Sequence, residues 1–218
     1  RIIQHEFAYH APKTLKEALA LLKQPDTVLL AGGTDLINKL KLETVHPEHV
    51  LYLGFIEELT RFTANDGLSI GSMVPMIEVE RDEKVRRDYE CLYEAVNSVG
   101  GLQIRNMATL SGNIANASPA ADVPPALMVL KGECKLSRLS EKGDIEERMV
   151  PVEDMFTGPG KTVLAADELI NGIFVPTSDD QTGTAFMKSA RVKLDVAKAS
   201  ATVFISREGV NCGEVRVV

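Results

Sequence analysis

Three cysteines in 218 residues are too few and too scattered to build a framework. Cys91, Cys134 and Cys212 match neither an even disulfide set nor the C-x-x-C spacing of metal and cluster ligands. The chain is therefore expected to hold no iron–sulfur cluster of its own and no metal. Positive charge is also short. Lys and Arg number 24 against 31 Asp and Glu, a net charge of −7, which argues against a nucleic-acid partner. No apolar run approaches the roughly 18–20 residues that span a bilayer, so no membrane span is expected. The opening RIIQHEFAYHAPKT has neither an apolar leader core nor an Arg/Ser-rich transit pattern, which points to a cytoplasmic protein. A first residue other than Met suggests that something was removed. His46-Pro-Glu-His49 sets a proline between two imidazoles with no second ligand pair nearby, so a solvated loop is expected there.

What remains is the composition of an ordinary globular protein, 44% hydrophobic and 25% charged, with enough chain for one large domain or two smaller ones. Thr14-Leu-Lys-Glu17 is a capping box ahead of Leu15, Ala18, Leu19 and Leu22 and predicts a helix over 14–23. A strand over 27–31, a helix from Asp35 and a strand near 50–53 complete a strand–helix–strand unit. Asn65-Asp-Gly67 and Glu141-Lys-Gly-Asp144 read as hairpin turns, with strands at 61–64, 68–71, 135–139 and 145–150. Residues 76–87 and 89–99 are expected as two helices, the second closed by Gly100-Gly101. A strand over 168–175 stops at Pro176, and 184–189, 201–206 and 214–218 read as further strands. The last of these is expected to have no partner in the chain, as though a further domain were cut short.

Two segments carry the candidate chemistry. In Leu30-Ala31-Gly32-Gly33-Thr34-Asp35 a strand turns into a helix through two glycines, which leaves backbone N–H groups uncovered for an anion. A plain tight turn is the competing reading, and Asp35 would repel a phosphate directly. Residues 108–122, ATLSGNIANASPAAD, are nearly all small, so a planar or extended ligand could approach the main chain closely. Thr109, Asn113, Ser118 and Asp122 offer it hydroxyl, amide and carboxylate groups, although Asp122 could equally cap the helix that follows and the segment could be a compact crossover. Gly158-Pro-Gly-Lys-Thr162 is no phosphate loop, because Met155 stands where the first glycine is required. No G-x-G-x-x-G, Ser-His-Asp, Cys-His or paired-carboxylate set appears, so no residue is assigned a catalytic role and a cofactor must bring the chemistry.

Taken in order, LLAGGTDL (29–36), VGGLQIRNMATLSGNIANASPAADVPPALM (99–128), ELINGIFVP (168–176) and FMKSARVKLDVAKAS (186–200) resemble the flavin-binding subunit of the molybdenum hydroxylases, which include xanthine, carbon monoxide and nicotinate dehydrogenases. The resemblance spans essentially the whole chain. It departs from the usual pattern at Ser111, where the family has the first glycine of a Gly-Gly pair. It implies an α+β fold: an FAD-binding domain over 1–176, in subdomains of about 1–54 and 55–176, and the start of a smaller C-terminal α+β domain over 177–218. It implies FAD as the cofactor, with Leu30 to Asp35 around the pyrophosphate and Gly100 and Gly101 on the adenosine side. Thr109, Gly112, Asn113, Ser118 and Asp122 would serve the ribityl and diphosphate region, and Leu169 and Ile170 the isoalloxazine. Lys188 would lie at the ring's polar edge, where a cation stabilises an anionic reduced flavin.

The same resemblance implies partner subunits. One would carry two-iron two-sulfur clusters and another molybdopterin, with FAD passing electrons to an acceptor such as NAD. Relatives that reduce 4-hydroxybenzoyl-CoA carry a cysteine-rich insertion for an extra cluster, which three scattered cysteines exclude. Two competitors remain: a self-contained flavin oxidase or reductase, of the UDP-N-acetylenolpyruvoylglucosamine reductase type, and a non-catalytic interaction module.

Overall fold

The computed structural model describes residues 2–177, 179, 181–192 and 194–218; Lys193, inside the FMKSARVKLDVAKAS stretch, lies outside them. The N-terminal part is a parallel three-stranded sheet built from β1 (Ala8–His10), β2 (Thr27–Leu30) and β3 (His49–Tyr52) in the order β1-β3-β2. Two short helices, α1 (Leu15–Leu22) and α2 (Leu36–Lys41), make the crossovers that parallel neighbours require. Thr14 caps α1 by accepting from the Glu17 N–H at 3.2 Å, while Glu17 reaches back one residue further than a capping box does, to the Lys13 N–H at 3.0 Å. Leu15, Ala18, Leu19 and Leu22 are buried, as their spacing requires, in a core shared with Leu51, Leu53 and Leu169.

The expected loop at His46–His49 is corrected in part. His49 opens β3, and the edge pairing β1–β3 brings its Nδ1 to 3.0 Å from His10 Nε2. Strand pairing between residues 41 positions apart is not visible in the local HPEH pattern.

A second, five-stranded antiparallel sheet has the order β4-β5-β10-β6-β7. Its strands are β4 (Phe62–Thr63), β5 (Leu68–Gly71), β6 (Glu133–Leu139), β7 (Ile145–Pro151) and, after the small hairpin of β8 (Phe156–Gly158) and β9 (Lys161–Thr162), β10 (Leu169–Val175). Both expected hairpin turns form, with Phe62 opposite Ile70 and Leu139 opposite Ile145. Glu168 accepts a bidentate pair of hydrogen bonds from Arg148, both at 2.7 Å, and so ties the start of β10 to β7.

Between β5 and β6 run six helices: α3 (Met76–Arg81), α4 (Glu83–Asp88), α5 (Glu90–Asn97), α6 (Leu102–Arg105), α7 (Leu110–Asn116) and α8 (Val123–Val129). The single helix expected over 76–87 breaks at Asp82. Its extended backbone lets the carboxylate accept from the Lys84 and Val85 N–H groups, both at 2.9 Å, and local capping wins over helix continuity. The small-residue segment holds a helix, α7, which neither the close-approach reading of this stretch nor the compact crossover specifies. Thr109 caps it and Ala117 ends it in the left-handed conformation.

The final sheet is antiparallel, with order β11 (Thr182–Ser189), β12 (Ala199–Glu208), β13 (Asn211–Val217). The expectation of an unpaired last strand is therefore wrong: β13 folds back on β12, with Val203 opposite Val217 and Ile205 opposite Val215. The turn at Gly209 (φ +64°) that reverses the chain lacked flanking residues strong enough to announce a hairpin. The inner face of this sheet places Phe204 in the main core. Its outer face alternates the other way: Gly183, Ala185 and Met187 lie beside Ala201, Val203 and Ile205, which lie beside Val217 and Val215. Nearly all of these outward positions are solvent-exposed and all are apolar. Among the described residues no helix is long and apolar enough to cross a membrane.

Candidate functional site

The end of β2 and the start of α2 face α7 across an open cavity of about 650 Å³. Most of the residues singled out in the sequence line it. Ala31, Gly32, Gly33, Thr34 and Asp35 come from the β2–α2 turn, and Gly100 from the turn after α5. Thr109, Gly112, Asn113, Ser118 and Asp122 come from α7 and its flanks, Ile170 from β10, and Lys188 from β11. Three do not line it. Leu30 ends β2 with its carbonyl bonded to the Leu53 N–H, Gly101 opens α6, and Leu169 is fully buried in the N-terminal core.

The two glycines of the turn have separate physical reasons. At Gly32 a Cβ would sit 1.8 Å from the Met107 carbonyl oxygen and 3.0 Å from Ala108 Cα, so the backbone between α6 and α7 passes directly over it. Gly33 has φ +73°, the left-handed region that favours glycine. At Gly112, in the first turn of α7, a Cβ would press to 3.0 Å on Thr109 Oγ1, the oxygen that caps this helix, while meeting the Ala31 side chain only in ordinary contact at 3.9 Å. Ser111 is buried and helical, lining the cavity in a conformation that needs no glycine.

Thr109 spends its hydroxyl on the Gly112 N–H at 3.0 Å, as the cap of α7. Asp122 stands at the cap position of α8 but caps nothing. The two residues whose N–H groups a capping side chain would serve are Pro124 and Pro125, which have none. Its Oδ2 pairs instead with Lys188 Nζ at 2.7 Å, and Lys188 also donates to the Ser98 carbonyl at 3.3 Å. Both side chains are about nine-tenths buried. This ion pair joins β11 to the cavity wall.

Several side chains in or beside the cavity are not singled out by the sequence. Ser72, just past β5, lines the cavity, as do Lys39 of α2 and Asn116 of α7, whose side chains meet at 2.7 Å. Arg105, in the QIRN stretch, is buried, makes a bidentate pair with Glu80 (2.6 and 3.2 Å) and donates to the Val99 and Gly100 carbonyls. It thereby fixes the turn that carries Gly100 (φ +48°) against the cavity.

Three buried oxygens test whether FAD suits this cavity. Asn113 Oδ1, Asp122 Oδ1 and Ser72 Oγ have no hydrogen-bond partner among the described residues, and all three residues are in the lining. Unpaired buried acceptors are costly, and a ligand bringing O–H and N–H donors would satisfy them. A polyhydroxylated chain with a ring N–H is such a ligand. The cavity also lies within the range that organic cofactors occupy, and the bare turn at Gly33 leaves room for close backbone approach. The residues fit the group.

Comparison with known proteins agrees with that geometry. A family described as the FAD binding domain in molybdopterin dehydrogenase matches residues 5–178. Caffeine dehydrogenase subunit beta of Pseudomonas sp. (strain CBB1) is 36% identical over 205 residues, covering 93% of this chain and 68% of that protein. The xanthine dehydrogenase FAD-binding subunit of Escherichia coli O157:H7 is 33% identical over 215 residues, covering 96% and 72%. Among solved structures, carbon monoxide dehydrogenase from Hydrogenophaga pseudoflava, in a form lacking the Mo-pyranopterin moiety, superposes with a TM-score of 0.91 at 31% identity, covering 100% of this chain and 75% of that one. With a glycine turn, a small-residue helix and an ion-paired lysine converging on one cavity, and with four-fifths of its length matched, this chain belongs to the FAD-binding domains of the molybdopterin dehydrogenases.

Proposed function

We propose that the chain is the electron-relay subunit of a molybdenum hydroxylase complex, taking electrons from two-iron two-sulfur clusters in one partner subunit while another holds molybdopterin. FAD, when bound, supplies the redox chemistry and passes the electrons to an acceptor such as NAD. The observation that supports this best is the cavity with its unsatisfied buried acceptors and its Lys188–Asp122 pair, in a chain whose sequence offers no acid/base or nucleophile set. Asn113 and Asp122 would receive donors from the cofactor's polar chain. Lys188, held by Asp122, would keep a positive charge beside the ring, where negative charge builds on reduction. The bare backbone at Gly32 and Gly33 would lie along the diphosphate.

We read residues 1–176 as the cofactor-binding unit and 177–218 as the beginning of a further domain. We place the complex in the cytoplasm, in keeping with three cysteines that are all free thiols. Purification of the native protein with its partners tests the reading. Co-purification with a ferredoxin-like subunit and a molybdopterin subunit, and flavin bands near ~370 and ~450 nm, are expected. A chain that holds FAD and turns over a small substrate without partners would refute the relay and establish a self-contained flavoenzyme.

A further inference from the structure

The lining of the cavity is not uniform in chemistry. Asp122 presents a buried carboxylate whose Oδ1 has no hydrogen-bond partner among the described residues; it calls for a donor and would repel a phosphate. An anionic group must therefore settle elsewhere in the same cavity. The charges along its lining narrow the choice. Lys188 is already engaged by Asp122 at 2.7 Å, and Asp195 already holds Arg191 at 3.1 Å. Among the described residues one lining cation lies in no ion pair, Lys39, and its only side-chain partner is the uncharged Asn116 Oδ1 at 2.7 Å.

Lys39 is placed for the task. It sits one helical turn beyond Asp35, with its N–H bonded to the Asp35 carbonyl, so it shares the wall of the cavity that carries the bare Gly33–Thr34 backbone. Asp35 lines that wall too and makes no ion pair among the described residues, so a phosphate arriving there meets a carboxylate and needs a cation to offset it. An exposed lysine bonded to a neutral amide adds almost nothing to folding, so its hydrogen bond to Asn116 is readily exchanged for a stronger, charge-assisted one.

We infer that Lys39 is the phosphate-recognising side chain of this cavity, leaving Asn116 to contact the cofactor's diphosphate and so selecting a flavin dinucleotide over a flavin without phosphate. This inference rests on the FAD reading above and adds a residue that neither glycine turn nor small-residue motif points to.

The test uses the full chain stripped of flavin and titrated with FAD and, separately, with riboflavin, following the quenching of flavin fluorescence and the melting temperature of the unliganded protein. Lys39→Gln should weaken FAD by about fivefold and Lys39→Glu by more, with riboflavin affinity unchanged within about twofold. Lys39→Arg should retain FAD. Raising salt from about 50 to about 300 mM should weaken FAD binding to the wild type and have less effect on Lys39→Gln. The unliganded melting temperature should not move, since the side chain is exposed. If Lys39→Gln binds FAD as the wild type does, or loses riboflavin as much as FAD, Lys39 is not a phosphate contact. A wild-type chain that binds neither flavin overturns the FAD reading, and this inference with it.

Discussion

Gly32 separates what the turn does for the fold from what it does for a cofactor. Gly32→Ala adds one methyl group, and that methyl would lie 1.8 Å from the Met107 carbonyl oxygen and 2.5 Å from the carbonyl carbon. Ordinary contact needs about 3.4 Å or more, so the chain between α6 and α7 would have to retreat by roughly 1.5 Å. Both atoms are backbone and cannot rotate away as a side chain would. The Met107–Ala108 segment is held in turn by the Ala108 N–H on the Ile104 carbonyl and by the Met76 N–H on the Ala108 carbonyl, so the strain spreads into α3 and α6. Overpacking of this kind costs about 3 kcal/mol. For a chain of this size that lowers the melting temperature by about 6–12 °C. Gly33→Ala should cost less, about 1–2 kcal/mol, because the penalty is that of a non-glycine residue at φ +73° and its nearest neighbours are the flexible ends of Ile37 and Leu30. Thermal and urea unfolding of the flavin-free protein measures both. Gly32→Ala melting within about 1 °C of the wild type would refute the packing argument and return Gly32 to a role in ligand approach alone.

Lys188→Met should destabilise the flavin-free chain by about 3 kcal/mol, because it leaves the Asp122 carboxylate buried without its cation. Adding Asp122→Leu should restore most of that loss, and strict additivity of the two changes in urea unfolding would show that the pair is not coupled. Burial pushes the Cys91 thiol up to about 11 and the Cys134 thiol up to about 12, whereas Cys212 is exposed. A thiol reagent at mildly alkaline pH should accordingly label Cys212 alone in the native protein and all three after denaturation; rapid native labelling of a second cysteine would contradict the buried packing.

Elements marked by short-range signals were legible. The capping residue Thr14, the Asn65-Asp-Gly67 turn and the stop at Pro176 each act on the backbone within a few residues, so local sequence suffices. Asp82 was misjudged because its neighbours are good helix formers and the break comes from one side chain choosing to cap. The helix α7 was missed for the opposite reason: Ser111, Gly112 and Asn113 are weak helix formers, and the packing of Leu110 and Ile114 into the main core overrides them. The glycine turn and the small-residue segment, each visible locally in the sequence, lie on the walls of one cavity. The pairing of Asp122 with Lys188 across 66 positions was not visible, nor was the grip of Arg105 on the Gly100 turn, since each depends on three-dimensional proximity. Gly32 shows the same limit. Its position suggested ligand approach, while its neighbours show that the first demand on it is the passage of another stretch of backbone.

The outward face of the β11–β13 sheet has a practical consequence. A water-facing sheet ordinarily breaks up its surface with Lys, Glu or Thr, and here Met187, 78% exposed, and Val217, 65% exposed, stand in a field of alanine, valine and isoleucine. Of the two outer strands of that sheet, β11 has its Phe186 N–H taken by Glu94 of α5, which leaves β13 as the open edge beside the greasy field. Greasy face and open edge together are what strand-by-strand fibril growth feeds on. In a concentrated stock of this polypeptide, self-association is expected to start on that face and edge. Charged replacements at Met187 and Val217 are accordingly the first changes to make before storage or crystallisation.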